Sequence, residues 1–219
     1  IQTSLVGSEM CIRDSSFSKK FFNEKFKKEK LTHSYQNFDI DTIELFEKII
    51  KENTGIKGLN VTIPYKEKII PYLDTLDNQA RIIGAVNTIK VLEDGSLKGY
   101  NTDHYGFSKA LSSYPAITNK TALILGNGGA SKAIRYALDT LGYACTTVSR
   151  NKTQDTISYK QVTKQVLEDH LLIVNTTPLG VAPDVLKCPE IPYRHLTKEH
   201  FLFDLIYNPQ KTAFLKHGL

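Results

Sequence analysis

The sequence predicts an α/β protein built as two domains. Three observations carry that reading. Apolar residues alternate between helical and strand spacing along the chain, with no internal repeat and no low-complexity segment. An Asp94-Gly95 turn sits between two apolar segments and marks a hairpin late in the first half. From Thr121 the order becomes strand, glycine turn, helix and strand. With 219 residues, 41% of them apolar, there is enough chain to fill two cores.

Taken in order, a helix is expected from Phe17 to Leu31, where Phe17/Phe21 and Phe22/Phe26 share a face under a charged exterior. A strand follows in HSYQNFDI. A helix in DTIELFEKIIKENTG should start at Asp41 and stop before Gly55. The segment GLNVTI reads as a strand, Pro64 as the first turn of a short helix, and LDTLDNQARIIG as another helix. AVNTIKVLEDGSLKGYN is the hairpin. A helix beginning at Asp103, or the SSYPAITNK loop after it, carries the domain boundary, and LLIVNTTPLG and HFLFDLIYNP supply the later strands.

Composition excludes several classes of function. No run of 18 apolar residues exists to span a membrane, and the first 22 residues lack the pattern of a secretory signal. Cys11, Cys145 and Cys188 are odd in number and far apart, which fits a cytoplasmic protein with no disulfide framework and no metal site. The net charge of +5 is spread among alternating Lys and Glu, so a nucleic-acid partner is not expected.

GNGGAS, Gly126 to Ser131, lies between the apolar run ALIL and a helix bearing Ala133, Ile134, Ala137 and Leu141. Gly126 permits the tight turn, Gly128 lets a pyrophosphate approach the backbone, and the helix start supplies free N–H groups. After the next strand come Ser149, Arg150, Asn151 and Lys152. A guanidinium stands where a ribose-binding carboxylate would mark NAD, so the expected cofactor is NADP.

In the first half, NVTIPYK sets Asn60 and Thr62 on alternate positions at a strand end, with Lys66 just beyond. Folding the hairpin brings Asn87 of AVNT and Asp103 of GYNTDHYGF to the same open end, where Asp103 is also a candidate helix N-cap.

In order and spacing, NVTIPYK, AVNT, GYNTDHYGF, GNGGAS, NTTPLG and DLIYNP resemble the shikimate dehydrogenase family from Ser16 to Leu219. The resemblance implies an N-terminal α/β substrate domain (1–102) and a C-terminal Rossmann-type NADP-binding domain (103–219), with the site in the cleft between them. It also implies reversible NADPH-dependent reduction of 3-dehydroshikimate to shikimate in aromatic amino-acid biosynthesis, by a monomer or homodimer. Lys66 and Asp103 take the catalytic roles, and Ser16, Ser18, Asn60, Thr62, Asn87 and Tyr207 the substrate contacts. Gly126, Asn127, Gly128, Gly129, Ala130, Ser149, Arg150, Asn175, Thr176 and Thr177 take the cofactor contacts.

The match departs from the family at both ends. Ser15, Ile12 and Met10 replace the His, Pro and Gly of a GxPxxHS turn, and SLVGSEMCIRDS resembles translated adapter sequence, so residues 1–14 are expected to be non-native. Leu5 and Val6 fit a first strand by apolarity alone. Leu219 precedes the family's GxxMLxxQ segment, which implies a nucleotide domain incomplete at its end. Ser149 replaces the usual Asn, and Thr176 and Pro178 replace Ala and Ser of NATSxG. Two alternatives stay open: an NAD-dependent quinate/shikimate dehydrogenase, and a non-catalytic nucleotide- or metabolite-binding protein.

Overall fold

In the computed structural model, which describes residues 4–11, 16–114, 117 and 119–218, backbone pairing builds two separate sheets. The chain divides into two compact units, Ile1–Thr102 and Asp103–Leu219.

The first sheet holds β1 (Ser4–Cys11), β2 (His33–Asp39), β3 (Gly58–Val61), β4 (Thr75–Leu76), β5 (Thr88–Val91) and β6 (Leu97–Tyr100). Their spatial order is β2-β1-β3-β5-β6-β4. β1 runs parallel to both β2 and β3, whereas β5 is antiparallel to β3 and to β6. The segment Ser4–Cys11, whose motif departs from the family, thus supplies an interior strand. A ladder is made by main-chain groups, so a departure from the expected side-chain motif does not forbid it.

Side-chain alternation decides what each face does. Leu59, Val61, Ile89 and Leu97 are buried on one face, in a core with Phe46, Ile49, Tyr65 and Ile69. The two-residue period then places Asn60, Thr88 and Tyr100 on the other face, in one row across β3, β5 and β6. Helix α1 (Ser16–Lys28) carries Phe22, which stacks on Tyr35 of β2 with centroids 4.9 Å apart. Helix α2 (Leu45–Glu52) buries Phe46 and Ile49 and pairs Lys48 with Glu52 and Lys51 with Glu47 outside. In α3 (Asn78–Ile83) the Asp77 carboxylate accepts from the N–H groups of Gln79 and Ala80, and Gly84 closes the helix at φ 68°.

Three local expectations are corrected. Helix α2 begins at Leu45 rather than Asp41, because the N–H groups of Leu45 and Phe46 bond three residues back to Thr42 and Ile43 in a preliminary turn. No α-helix opens at Pro64. The Ile63–Pro64 bond is cis, and the carbonyl of Lys66 accepts from Val86 N–H instead of a residue one helical turn ahead. A single turn closes there, Ile69 N–H to Tyr65 O, and a 3-10 helix follows at Ile70–Tyr72. Asp103 is the first residue of α4 (Asp103–Leu111) rather than the residue capping it.

The second sheet is wholly parallel: β7 (Thr121–Leu125), β8 (Ala144–Val148), β9 (Thr156–Ile157), β10 (Leu172–Asn175) and β11 (Phe201–Asp204). The order β11-β10-β7-β8-β9 reverses direction between β7 and β10. This is the Rossmann order, and ligands bind at that reversal, at the carboxyl ends of the strands. Residues 122–125 and 172–174 are buried on both faces, as a two-sided parallel sheet requires. One face packs against α4 and α5 (Gly129–Thr140), the other against α6 (Lys164–Asp169) and α7 (Ala213–Lys216), through Ile134 and Leu138 and through Leu167 and Phe214.

Candidate functional site

Three first-half motifs are tied together by main-chain bonds. Val61 N–H donates to Asn87 O at 2.8 Å, Val86 N–H to Lys66 O at 2.7 Å, and Asn87 N–H to Tyr100 O at 3.0 Å. Beneath Lys66, Tyr65 is 2% exposed and its hydroxyl donates to Ile40 O at 2.8 Å. Burial pushes the Tyr65 phenol above its ordinary range, with the Asp41 and Glu44 carboxylates adding to the shift. Lys66 therefore emerges half-buried from a turn anchored on both sides.

The Asn87 side chain holds the chain just before Asp103. Its Oδ1 accepts from Thr102 N–H at 2.9 Å, and its Nδ2 donates to Thr102 Oγ1 at 2.9 Å. Buried Asn101 donates to Ala85 O at 3.0 Å, closing the same end of the hairpin. Asp103 is half-buried in the first turn of α4, where the helix dipole favours its carboxylate. Asn60 is half-buried and accepts from the Tyr35 hydroxyl at 3.0 Å. Thr62 follows directly after β3 and is half-buried, as is Ser18 on α1. Ser16 opens α1, but its side chain lies outside the described residues, as do residues 12–15.

In the second unit, Gly126 N–H donates to Val148 O at 2.8 Å, with φ at 115°. A Cβ on Gly126 would lie 2.6 Å from Thr176 Oγ1 and 3.2 Å from Thr177 Cγ2. The glycine turn and NTTPLG are thus in close contact at the reversal between β7 and β10. Thr176 belongs to this packing: its N–H and hydroxyl both donate to Leu125 O, at 2.9 and 2.7 Å. Gly128 stands just before α5, with no side-chain cap and nothing within 4 Å of a Cβ built there. Asn127 is exposed, while Gly129 and Ala130 are half-exposed in the first turn. Open backbone followed by an uncapped helix start fits a pyrophosphate.

Asn175 is 0% exposed, and its side chain is spent on the loop. Oδ1 accepts from Thr177 N–H at 3.0 Å and Thr177 Oγ1 at 2.7 Å, and Nδ2 donates to Asp204 Oδ1 at 3.1 Å. Asp204 also accepts from Thr212 Oγ1 at 2.6 Å and Ile206 N–H at 3.0 Å. Burial raises its pKa, opposed by those bonds. This carboxylate joins NTTPLG to the loop bearing exposed Tyr207. Ser149 N–H donates to Ile157 O at 2.9 Å, and Arg150 projects exposed beyond β8, with its positive charge felt at Tyr159.

Residues 10–89 match the family model described as the shikimate dehydrogenase substrate binding domain. A shikimate dehydrogenase (NADP(+)) of Methanosphaera stadtmanae is 36% identical over 94% of this chain and 78% of its own length. The chain belongs to the shikimate dehydrogenase family. Among solved members, the shikimate dehydrogenase of Aquifex aeolicus matches with a TM-score of 0.85 at 35% identity, over 99% of this chain and 83% of that one. The Thermus thermophilus shikimate 5-dehydrogenase, determined with NADP(H) and shikimate, matches with a TM-score of 0.82 at 28% identity, over 97% and 82%. These family structures share the two-part α/β architecture described above.

Several residues important to this geometry escaped the sequence reading. Tyr35, Tyr65, Asn101, Thr102 and Asp204 act through partners up to 29 positions away, and no local pattern marks them. Tyr65, Asn101, Thr102 and Asp204 lay inside quoted motifs, but nothing in those motifs pointed to their partners.

Proposed function

We propose that the chain interconverts shikimate and 3-dehydroshikimate with NADP, in the synthesis of aromatic amino acids. Family membership at 36% identity across 94% of the chain carries this reading. Bound NADP would supply or accept the hydride. Gly126, Gly128, Gly129 and Ala130 would hold its pyrophosphate at the start of α5, with Asn127 at the rim. Arg150 would bind the 2′-phosphate, with Ser149 beside the adenosine. The backbone of Thr177, together with the fold imposed by Asn175 and Thr176, would shape the cofactor wall.

Lys66 and Asp103 form the proposed catalytic pair. As a ketone oxygen gains charge, an ammonium at that oxygen stabilises it and donates the proton; in the reverse direction the amine removes it. Asp103 would orient that nitrogen toward the reacting oxygen. Ser16, Ser18, Asn60, Thr62, Asn87 and Tyr207 would bind the carboxylate and hydroxyls of the substrate. The enzyme is proposed to be cytoplasmic, monomeric or homodimeric; three cysteines without a pairing pattern support the location, and among the described residues no helix is long and apolar enough to cross a membrane.

Comparing initial rates with shikimate or quinate, each with NADP or NAD, tests the assignment. Shikimate with NADP should be fastest. A preference for quinate with NAD would establish the alternative dehydrogenase.

A further inference from the structure

An asparagine amide presents an acceptor on one side and a donor on the other, and the two orientations are nearly the same shape. Which one a ligand meets is set by the surrounding protein. At Asn60, Oδ1 accepts from the Tyr35 hydroxyl at 3.0 Å, and among the described residues no protein acceptor takes the Nδ2 hydrogens. Asn60 and Tyr35 line one open cavity of about 380 Å³ with Phe22, Phe26, Thr88 and Tyr100.

Tyr35 is held by three independent contacts. Its ring is 2% exposed and stacks on Phe22 at 4.9 Å with planes 10° apart. The Asn23 side chain also takes both main-chain groups of Tyr35, donating to its O and accepting from its N–H, each at 2.8 Å. None of the three uses the hydroxyl, which donates to the Asn60 amide oxygen.

We propose that Tyr35 is a positioning residue for substrate: it locks Asn60 so that the amide NH₂, a donor, faces a ligand whose polar atoms are all oxygens. This rests on the reading of Asn60 as a shikimate contact. Calorimetric titration of the 219-residue chain with shikimate, and separately with NADP, tests it. Tyr35→Phe keeps the ring and both Asn23 bonds. It should weaken shikimate about 3- to 10-fold, the effect of one hydrogen bond, and leave NADP affinity unchanged. In an Asn60→Ala background, Tyr35→Phe should add nothing. Asn60→Asp, which leaves Tyr35 intact, still accepts the hydroxyl but turns an acceptor-only oxygen to the ligand. It should lose at least as much affinity as Asn60→Ala. Additive losses, weakened NADP binding, or an Asn60→Asp variant that binds like wild type would overturn the proposal. If Asn60→Ala weakens shikimate while Tyr35→Phe does not, the positioning role alone fails; if Asn60→Ala changes nothing, the contact itself fails.

Discussion

Two alanine substitutions two residues apart, at Gly126 and Gly128, should separate what the glycine turn does for the fold from what it does for the ligand. At Gly126, φ of 115° is a conformation L residues rarely adopt, and such backbone strain costs about 1–3 kcal/mol. The new Cβ would also sit 2.6 Å from Thr176 Oγ1, displacing a hydroxyl whose bond to Leu125 O is worth about 1 kcal/mol. Gly126→Ala should therefore lose about 2–4 kcal/mol, or about 5–15 °C in melting temperature for a chain of this size. Thr176→Ala in that background should recover part of the loss, because it relieves the collision but not the backbone. Gly128 has an ordinary φ of −102° and nothing within 4 Å of its added Cβ. Gly128→Ala should melt within about 1–2 °C of wild type yet bind NADP at least about tenfold more weakly, since the methyl occupies the approach to the helix start. Scanning calorimetry with and without NADP reads both effects. Gly126→Ala melting like wild type, or Gly128→Ala binding NADP normally, would refute the packing argument or the pyrophosphate argument respectively.

Other outcomes follow from the same geometry. Lys66→Ala should lower kcat about a hundred- to ten-thousandfold with little change in shikimate affinity, read by NADPH absorbance and by titration; equal losses in both would count against an acid role. Arg150→Ala should weaken NADP about 10- to 100-fold and leave NAD nearly unaffected, as expected for a charge-assisted bond to a 2′-phosphate. Because burial raises the Asp204 pKa above 3.8, the folded chain holds that proton more tightly than the unfolded one. Its stabilising contribution is then complete below about pH 3.8 and is lost as pH rises through the raised folded value. Urea melts of wild type and Asp204→Asn should accordingly show wild type losing ground to the variant as pH rises above the ordinary carboxylate value. The opposite trend would mean that hydrogen bonds to the carboxylate outweigh its burial.

What the sequence revealed was local. The Asp94-Gly95 hairpin and the strand, glycine turn and helix around Gly126 formed where expected, because their signals are carried by neighbouring residues and a fixed apolar period. The Pro64 turn shows the opposite case. Proline read as a helix start, yet Lys66 O is committed to Val86 twenty residues away, and a carbonyl used in tertiary pairing cannot propagate a helix. The site divides the same way. Lys66, Asn87 and Asp103 sat in recognisable motifs, and so did Tyr65 and Thr102, but the bonds those two make, to Ile40 O and to the Asn87 side chain, are visible only in the folded chain. Asn175 and Thr176 were read as cofactor contacts from NTTPLG; their side chains also bond to Thr177 and Asp204 and to Leu125 O, ties that no local pattern announces. Gly126 must be glycine partly because Thr176 is there.

The most direct test of the central claim follows a single hydride. With shikimate deuterated at the carbon bearing the reacting hydroxyl, wild type should pass the deuterium to NADP in a shikimate-dependent reaction that Lys66→Ala suppresses. Binding of shikimate and NADP without any transfer of deuterium would contradict the enzyme assignment and leave a binding protein in its place.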